Sequence, residues 1–170
     1  MKIVFSKEVI AHRVRELAKD ILVDYHHKDL LILVVLKGGF VFGADLIRAM
    51  SKPNLFVDFI SAASYKGMLS TGNVTFDRIP LVAAKGKEVL VVDDITDTGQ
   101  TCAAIREKLL VGVARSLRFC VLLDKPSCRE ASFVPDYVGF SIPDKFVVGY
   151  GLDYEGKYRN LPDIYTFEEG

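Results

Sequence analysis

"EVLVVDDITDTGQT", residues 88–101, decides the fold. It opens on an apolar run too short for a helix, the pattern of a strand covered on both faces in a parallel sheet. Two acids, Asp93 and Asp94, end the run, and "TDTGQT" leads into a helix expected from about Gly99 to Leu110. A loop between a buried strand and a helix presents unpaired backbone N–H groups and the positive end of the helix dipole. Thr96, Thr98 and Thr101 add hydroxyls, and Gly99 permits close backbone approach. The lysine of a GxxxxGK[ST] triphosphate loop is absent, so this cup suits a monophosphate. Aspartates beside an anion cup make sense if the ligand carries hydroxyls next to its phosphate, because a carboxylate accepts both hydrogens of a diol. Asp93 and Asp94 would then grip a ribose, and Asp97 would lie near the reacting carbon or the base, placed to accept a proton. Singly, "DD" also reads as a solvated turn and "DTG" as a common tripeptide; the specificity lies in the whole run.

Working outward, "LLILVVL" (30–36) is a second buried strand that "KGGF" ends abruptly, and residues 40–50 read as a helix. "NLFVDFIS" (54–61) alternates as a strand, and "RSLRFCVLLD" (115–124) supplies another. Before them, Ile10, Val14, Leu17, Ile21 and Tyr25 recur at helical steps, with Ser6 placed to cap the start. Strand alternating with helix implies an α/β fold with a doubly wound parallel sheet, whose ligands bind beyond the carboxyl ends of the strands. Residues 61–76 lack a clear period and read as a long loop or loose hairpin, and such loops inside a compact domain are usually lids or disordered. Short strands are expected at 137–141 and 146–150, between turn signals. There is no internal repeat and no interdomain linker, and 170 residues suit one domain.

Half the residues are apolar, and Lys plus Arg equals Asp plus Glu at 22 each, which disfavours recognition of polyanions such as nucleic acid by overall charge. Cys102, Cys120 and Cys128 are odd in number and form no CxxC pair, so neither a disulfide framework nor a zinc site is indicated. They read as small buried apolar residues, and His12, His26 and His27 as surface histidines. No segment approaches the ~20 apolar residues of a membrane span, and no secretory leader is evident. The expectation is a cytoplasmic protein with no membrane partner.

With these residues in hand, the chain resembles the purine phosphoribosyltransferases, whose signature is similar to "VLVVDDITDTGQT", and within them the hypoxanthine-guanine branch. Matching stretches are "LKGG" (36–39), "SY" (64–65), "LLDKPS" (122–127) and "IPDKFVVGYGLDYEGKYRNLP" (142–162), in order from about residue 30 to 162. The last discriminates most, because the signature itself is shared by enzymes for many bases. The resemblance implies a single type I phosphoribosyltransferase domain: a parallel-sheet core over about 30–125 with helices on both faces, a mobile loop over 62–76, and a small hood from the N-terminal segment and about 126–170. It implies transfer of the 5-phosphoribosyl group of phosphoribosyl pyrophosphate to a 6-oxopurine, with Mg2+ as cofactor, and a homodimer or homotetramer.

Carried over position by position, the resemblance makes Asp93 and Asp94 the acids at the ribose hydroxyls and the metal, Asp93 being shorter than the frequent glutamate. Asp97 is the general base near purine N7. Asp97, Thr98, Gly99, Gln100 and Thr101 form the phosphate loop, Gln100 standing where lysine is frequent. Lys37 and Gly38 match the pyrophosphate loop, in which the Leu36–Lys37 peptide is often cis. Ser64 and Tyr65 match the lid that keeps water from the activated sugar. Lys125 matches the donor to purine O6, Phe146 the residue that stacks on the base, Val147 a backbone partner of its edge, Asp153 a magnesium ligand, and Arg159 a pyrophosphate-binding arginine. By pattern alone, "KGG" is equally a turn, Phe146 a core aromatic and Arg159 a solvated surface charge. Two rivals are a phosphoribosyltransferase-like regulator that binds nucleic acid, which would need a basic face, and an enzyme for another base.

Overall fold

The computed structural model describes residues 1–63, 75–110 and 113–167. Nine strands and four α-helices follow in chain order among them: β1 (Lys2–Phe5), α1 (Lys7–Asp24), β2 (Leu30–Leu36), α2 (Phe40–Ala49), β3 (Leu55–Ala63), β4 (Thr75–Arg78), α3 (Leu81–Ala84), β5 (Glu88–Thr96), α4 (Gln100–Leu110), β6 (Ser116–Asp124), β7 (Tyr137–Ser141), β8 (Val147–Val148) and β9 (Ile164–Thr166). The main sheet runs β4-β3-β2-β5-β6-β7. Its strands from β3 to β7 are mutually parallel, and only β4 is antiparallel.

The apolar runs become the central strands because both of their faces are covered. One face, with Ile32, Val34, Leu90 and Val92, packs against α1 and α2 through Ile10, Leu17, Phe42 and Leu46. The other, with Leu31, Leu33, Val89 and Val91, packs against α3 and α4 through Ala84, Ile105 and Leu109. Helices therefore lie on both faces of the sheet, as the sequence implies. Each aliphatic side chain so buried stabilises the fold by about 1.5–3 kcal/mol relative to exposure. Ser6 caps α1, its hydroxyl accepting from Val9 N at 3.5 Å.

A second, antiparallel sheet, β1-β9-β8, joins the two ends of the described chain. Sequence reading does not anticipate β1 or β9, and it extends β8 two residues too far, since Gly149 and Tyr150 turn with positive φ. β7 belongs to the main sheet, beside β6. Of the 61–76 segment, β3 and β4 form a hairpin whose register pairs Ala63 with Thr75; Ser64 and Tyr65 lie outside the described residues.

The strand order locates the cleft. The chain leaves β2 through α2 towards β3 on one side, and leaves β5 through α4 towards β6 on the other. At that switch point the loops beyond β2 and β5 part, and a ligand crevice opens between them.

Candidate functional site

Side chains alternate along a strand, so the two consecutive acids of β5 serve different faces. Asp94 continues the α2 side and lies against Gly38, whereas Asp93 continues the α4 side. A cavity of about 550 Å³ at the switch point is lined by Lys37, Gly38, Asp93, Asp94, Thr101 and Arg159, with Ser61 and Asp77 at its β3–β4 wall. The Leu36–Lys37 peptide at its floor is cis. A smaller cavity of about 110 Å³, the scale of a single phosphate group, is lined by Asp93 and by Ile95 to Cys102. Asp93 lines both cavities and Asp94 only the larger.

Both acids are almost fully buried. Burial raises both carboxyls, that of Asp93 well above the usual carboxylate range with the adjacent Asp94 adding repulsion; the Arg159 guanidinium acts in the opposite direction on Asp94. Their backbone ties are local: Asp94 N donates to Asp93 Oδ1 at 2.9 Å and Ile95 N to Asp94 Oδ1 at 3.0 Å. Each carboxylate retains lone pairs for a ligand.

The loop expected to hold a phosphate forms where Gly99, at φ +80°, turns the chain into α4. The first helical bond runs from Ala103 N to Gly99 O at 2.9 Å, so the N–H groups before it have no intrahelical acceptor. Thr98 Oγ1 accepts weakly from Gln100 N at 3.4 Å. Gln100 turns its amide to Glu130, donating to Oε2 at 2.8 Å.

Lys125 follows the end of β6, and its ammonium is held in a buried position 3.7 Å from Asp97 Oδ2 and 3.2 Å from Asp144 Oδ1. The lysine in turn holds the Asp144 carboxyl below its ordinary value. Phe146 is half-exposed rather than a core aromatic, forming an aromatic rim with Tyr154 and Phe167 at centroid distances of 5.6 and 6.0 Å. Val147 is anchored in β8, opposite Thr166. Arg159 is no solvated surface charge: it donates to Gly151 O at 2.6 Å and pairs with Asp153 Oδ1 at 2.7 Å while lining the larger cavity. Asp153 also accepts from Gly156 N at 2.7 Å.

The described site residues thus divide between the switch-point cleft and the loops above β5 and β6. Asp93, Asp94 and Asp153 do not converge: among the described residues, no three donor side chains form a metal cluster. Sequence reading misses Arg129, Asp124, Asp144 and Asp77. The available signal was Asp124, an acid that closes an apolar run as Asp94 does, with an arginine five residues on. It also takes Cys128 for a buried apolar residue, whereas this thiol is partly exposed and lies near Asp97 and Asp144.

The phosphoribosyl transferase domain family matches residues 2–155. The hypoxanthine-guanine phosphoribosyltransferase of Aquifex aeolicus is 44% identical over 171 residues, covering 99% of this chain and 96% of its own. The hypoxanthine phosphoribosyltransferase of Escherichia coli K12 is 41% identical over 167 residues, covering 96% and 93%. A crystal structure of a hypoxanthine-guanine phosphoribosyltransferase from Bacillus anthracis superposes with a TM-score of 0.89 at 42% identity, covering 98% of this chain and 96% of the other.

Proposed function

The chain belongs to the phosphoribosyltransferase family, in its hypoxanthine-guanine branch, and from that premise we propose that it salvages purines, transferring the 5-phosphoribosyl group of phosphoribosyl pyrophosphate to hypoxanthine, with guanine and xanthine as further candidate acceptors. The products are the nucleoside monophosphate and pyrophosphate. The observation that carries this reading is the placement of Lys125. Its buried ammonium stands 3.7 Å from Asp97, a residue that also lines the smaller cavity. The donor proposed for the base thus neighbours the loop proposed to hold the 5′-phosphate, which supports a nucleotide spanning the two.

In the reaction, the C1′–O bond to pyrophosphate breaks while the N9–C1′ bond forms, through a ribosyl centre with oxocarbenium character. The cup binds the 5′-phosphate, and Asp93 and Asp94 accept from the ribose hydroxyls. Lys37, Gly38 and Arg159 face the departing pyrophosphate, where the guanidinium stabilises developing charge. Asp97 takes or shares the N7 proton. Lys125 carries donors only, so it favours a 6-oxo group over a 6-amino group. Phe146 stacks on the base, and the Val147 backbone meets its edge.

The donor set fits magnesium. Asp93, Asp94 and Asp153 are hard oxygen donors, and two of them are buried at the cavity wall, where a cation would offset their desolvation. Magnesium takes only one or two carboxylates and completes its shell with substrate phosphates and water. When bound, it supplies neutralisation of the pyrophosphate charge.

An uncovered apolar face supports assembly. Val57 and Phe59 pair in register with Ile32 and Val34, so they share the sheet face that α1 and α2 cover, yet both are exposed, as is Phe40 on α2. A second copy of the chain covers this face in the homodimer or homotetramer. No helix of the described residues is long and apolar enough to cross a membrane.

The test is nucleotide formation from phosphoribosyl pyrophosphate and magnesium with hypoxanthine, guanine, xanthine and adenine in parallel, repeated with chelator. The 6-oxopurines turn over, adenine does not, and chelation stops the reaction. Adenine turnover equal to that of hypoxanthine would overturn the role of Lys125. No turnover of any base by folded protein would overturn the enzymatic reading.

A further inference from the structure

Arg129 touches neither cavity, yet it meets the phosphate loop and the strand end that carries Lys125. Its Nη1 donates to Thr96 Oγ1 at 3.1 Å and to the backbone oxygen of Asp97 at 2.7 Å. Its Nη2 donates to the carboxylate of Asp124, which is buried and directly precedes Lys125. Its aliphatic stem fills the space beside Gly99, where an added Cβ would come 2.8 Å from Cδ. Around this guanidinium the two segments are laced together by backbone bonds: Lys125 N donates to Thr96 O, and Glu130 N and Ala131 N both donate to Thr98 O, each at 3.0 Å. The Gln100 amide adds its bond to Glu130.

We propose that Arg129 is a positioning residue that locks the 5′-phosphate cup and the base-recognising Lys125 into one rigid unit, so that a single side chain sets the distance between the phosphate and base subsites. A planar guanidinium suits this role, because its fixed fork reaches a hydroxyl, a carbonyl and a carboxylate at once, while lysine offers one compact charge. The carboxylate pair is largely buried, so the brace is loosened less by solvent than a surface pair would be. Because the segments lie on adjacent strands, β5 and β6, the brace spans the gap that the base and ribose must bridge. The inference rests on the reading of 97–101 as the phosphate cup and of Lys125 as the base donor.

The experiment measures KM for phosphoribosyl pyrophosphate, KM for hypoxanthine, and kcat in the wild type and in Arg129→Gln, Arg129→Lys, Lys125→Gln and Thr101→Val, with melting temperature followed in each. A brace common to both subsites predicts that Arg129→Gln raises both KM values together and lowers kcat, with kcat/KM falling about 10²-fold, the cost of misplacing reacting groups by about 1 Å. Arg129→Lys recovers part of that loss. Lys125→Gln raises the base KM alone, and Thr101→Val raises the phosphoribosyl pyrophosphate KM alone. If Arg129→Gln proves unstable because Asp124 is left buried and unpaired, the double variant Arg129→Gln/Asp124→Asn removes both charges and is measured in its place. The proposal is overturned if a folded Arg129 variant leaves both KM values within about twofold of wild type or moves only one. If instead Lys125→Gln and Thr101→Val move neither KM, the underlying reading of the subsites fails, and the brace with it.

Discussion

A methyl group on Gly38 would lie 1.8 Å from Oδ2 of Asp94: the turn after β2 and an acid near the end of β5 meet with no room for a side chain between them. Two loops that part at the switch point are thereby in direct contact at their roots, and the backbone of the pyrophosphate loop lies against the carboxylate assigned to the ribose.

Gly38→Ala therefore forces the Asp94 carboxylate or the loop to move. The expected cost is about 1–3 kcal/mol of stability from overpacking, with kcat/KM falling at least about tenfold as the carboxylate leaves its position. Chemical denaturation and steady-state kinetics on the same preparation check both, and a variant with unchanged KM for phosphoribosyl pyrophosphate would contradict the assignment of Asp94.

Asp97→Asn keeps the shape of the loop but removes the carboxylate proposed as proton acceptor, 3.7 Å from Lys125. A fall in kcat of roughly 10²–10⁴-fold is expected for loss of a general base. Full kcat at every pH would leave Asp97 a positioning role only.

Tyr25 ends α1 with its hydroxyl buried and without a hydrogen-bond partner among the described residues. Burial chiefly pushes that hydroxyl up to about 12, against about 10 in the unfolded chain. The folded-state value is the higher one, so the protonated hydroxyl's contribution is whole below pH about 10 and is lost as pH rises from there through about 12. In Tyr25→Phe this loss is absent. At neutral pH the variant should be equal to or up to about 1 kcal/mol more stable than wild type, since an unpaired polar atom is removed. The gap between the two should widen across the alkaline window in melting curves. Other tyrosines titrate in both proteins and cancel in the difference, so parallel curves would disprove the assignment.

Thiol labelling of the native protein should modify Cys128 alone of the three cysteines. Cys102 and Cys120 are buried, and burial raises both thiols. Cys128 is partly exposed, but desolvation and the Asp97 carboxylate raise it too, so its labelling should be slow near neutral pH and quicken with alkali. Substrates seated against Asp97 should slow it further. Mass spectrometry of labelled peptides, with Cys128→Ser as control, reads the outcome directly, and early labelling of Cys120 would contradict the packing of β6.

How far each of these residues could be read in advance depended on where its partners lay. The helical spacing of Ile10, Val14, Leu17 and Ile21, the apolar runs of β2 and β5, and the acids and threonines of 93–101 are local patterns. A strand's covered faces and a helix's buried stripe are written in consecutive residues, so the alternating architecture and the strand–loop–helix run at 88–110 were legible in the chain alone. The β1–β9 pairing was not, because it joins opposite ends of the chain and β1 is a short segment with mostly exposed residues. Nor was the role of Arg129, whose acceptors Thr96, Asp97 and Asp124 lie on two adjacent strand ends. Which face each of the twin acids serves, the contact of Gly38 with Asp94, and the seat of Lys125 between Asp97 and Asp144 depend on how β2, β5 and β6 align. Sequence thus determined the residue types and their local conformation, while only the tertiary structure decided their distances, because parallel strands are brought into register by packing among segments far apart in the chain.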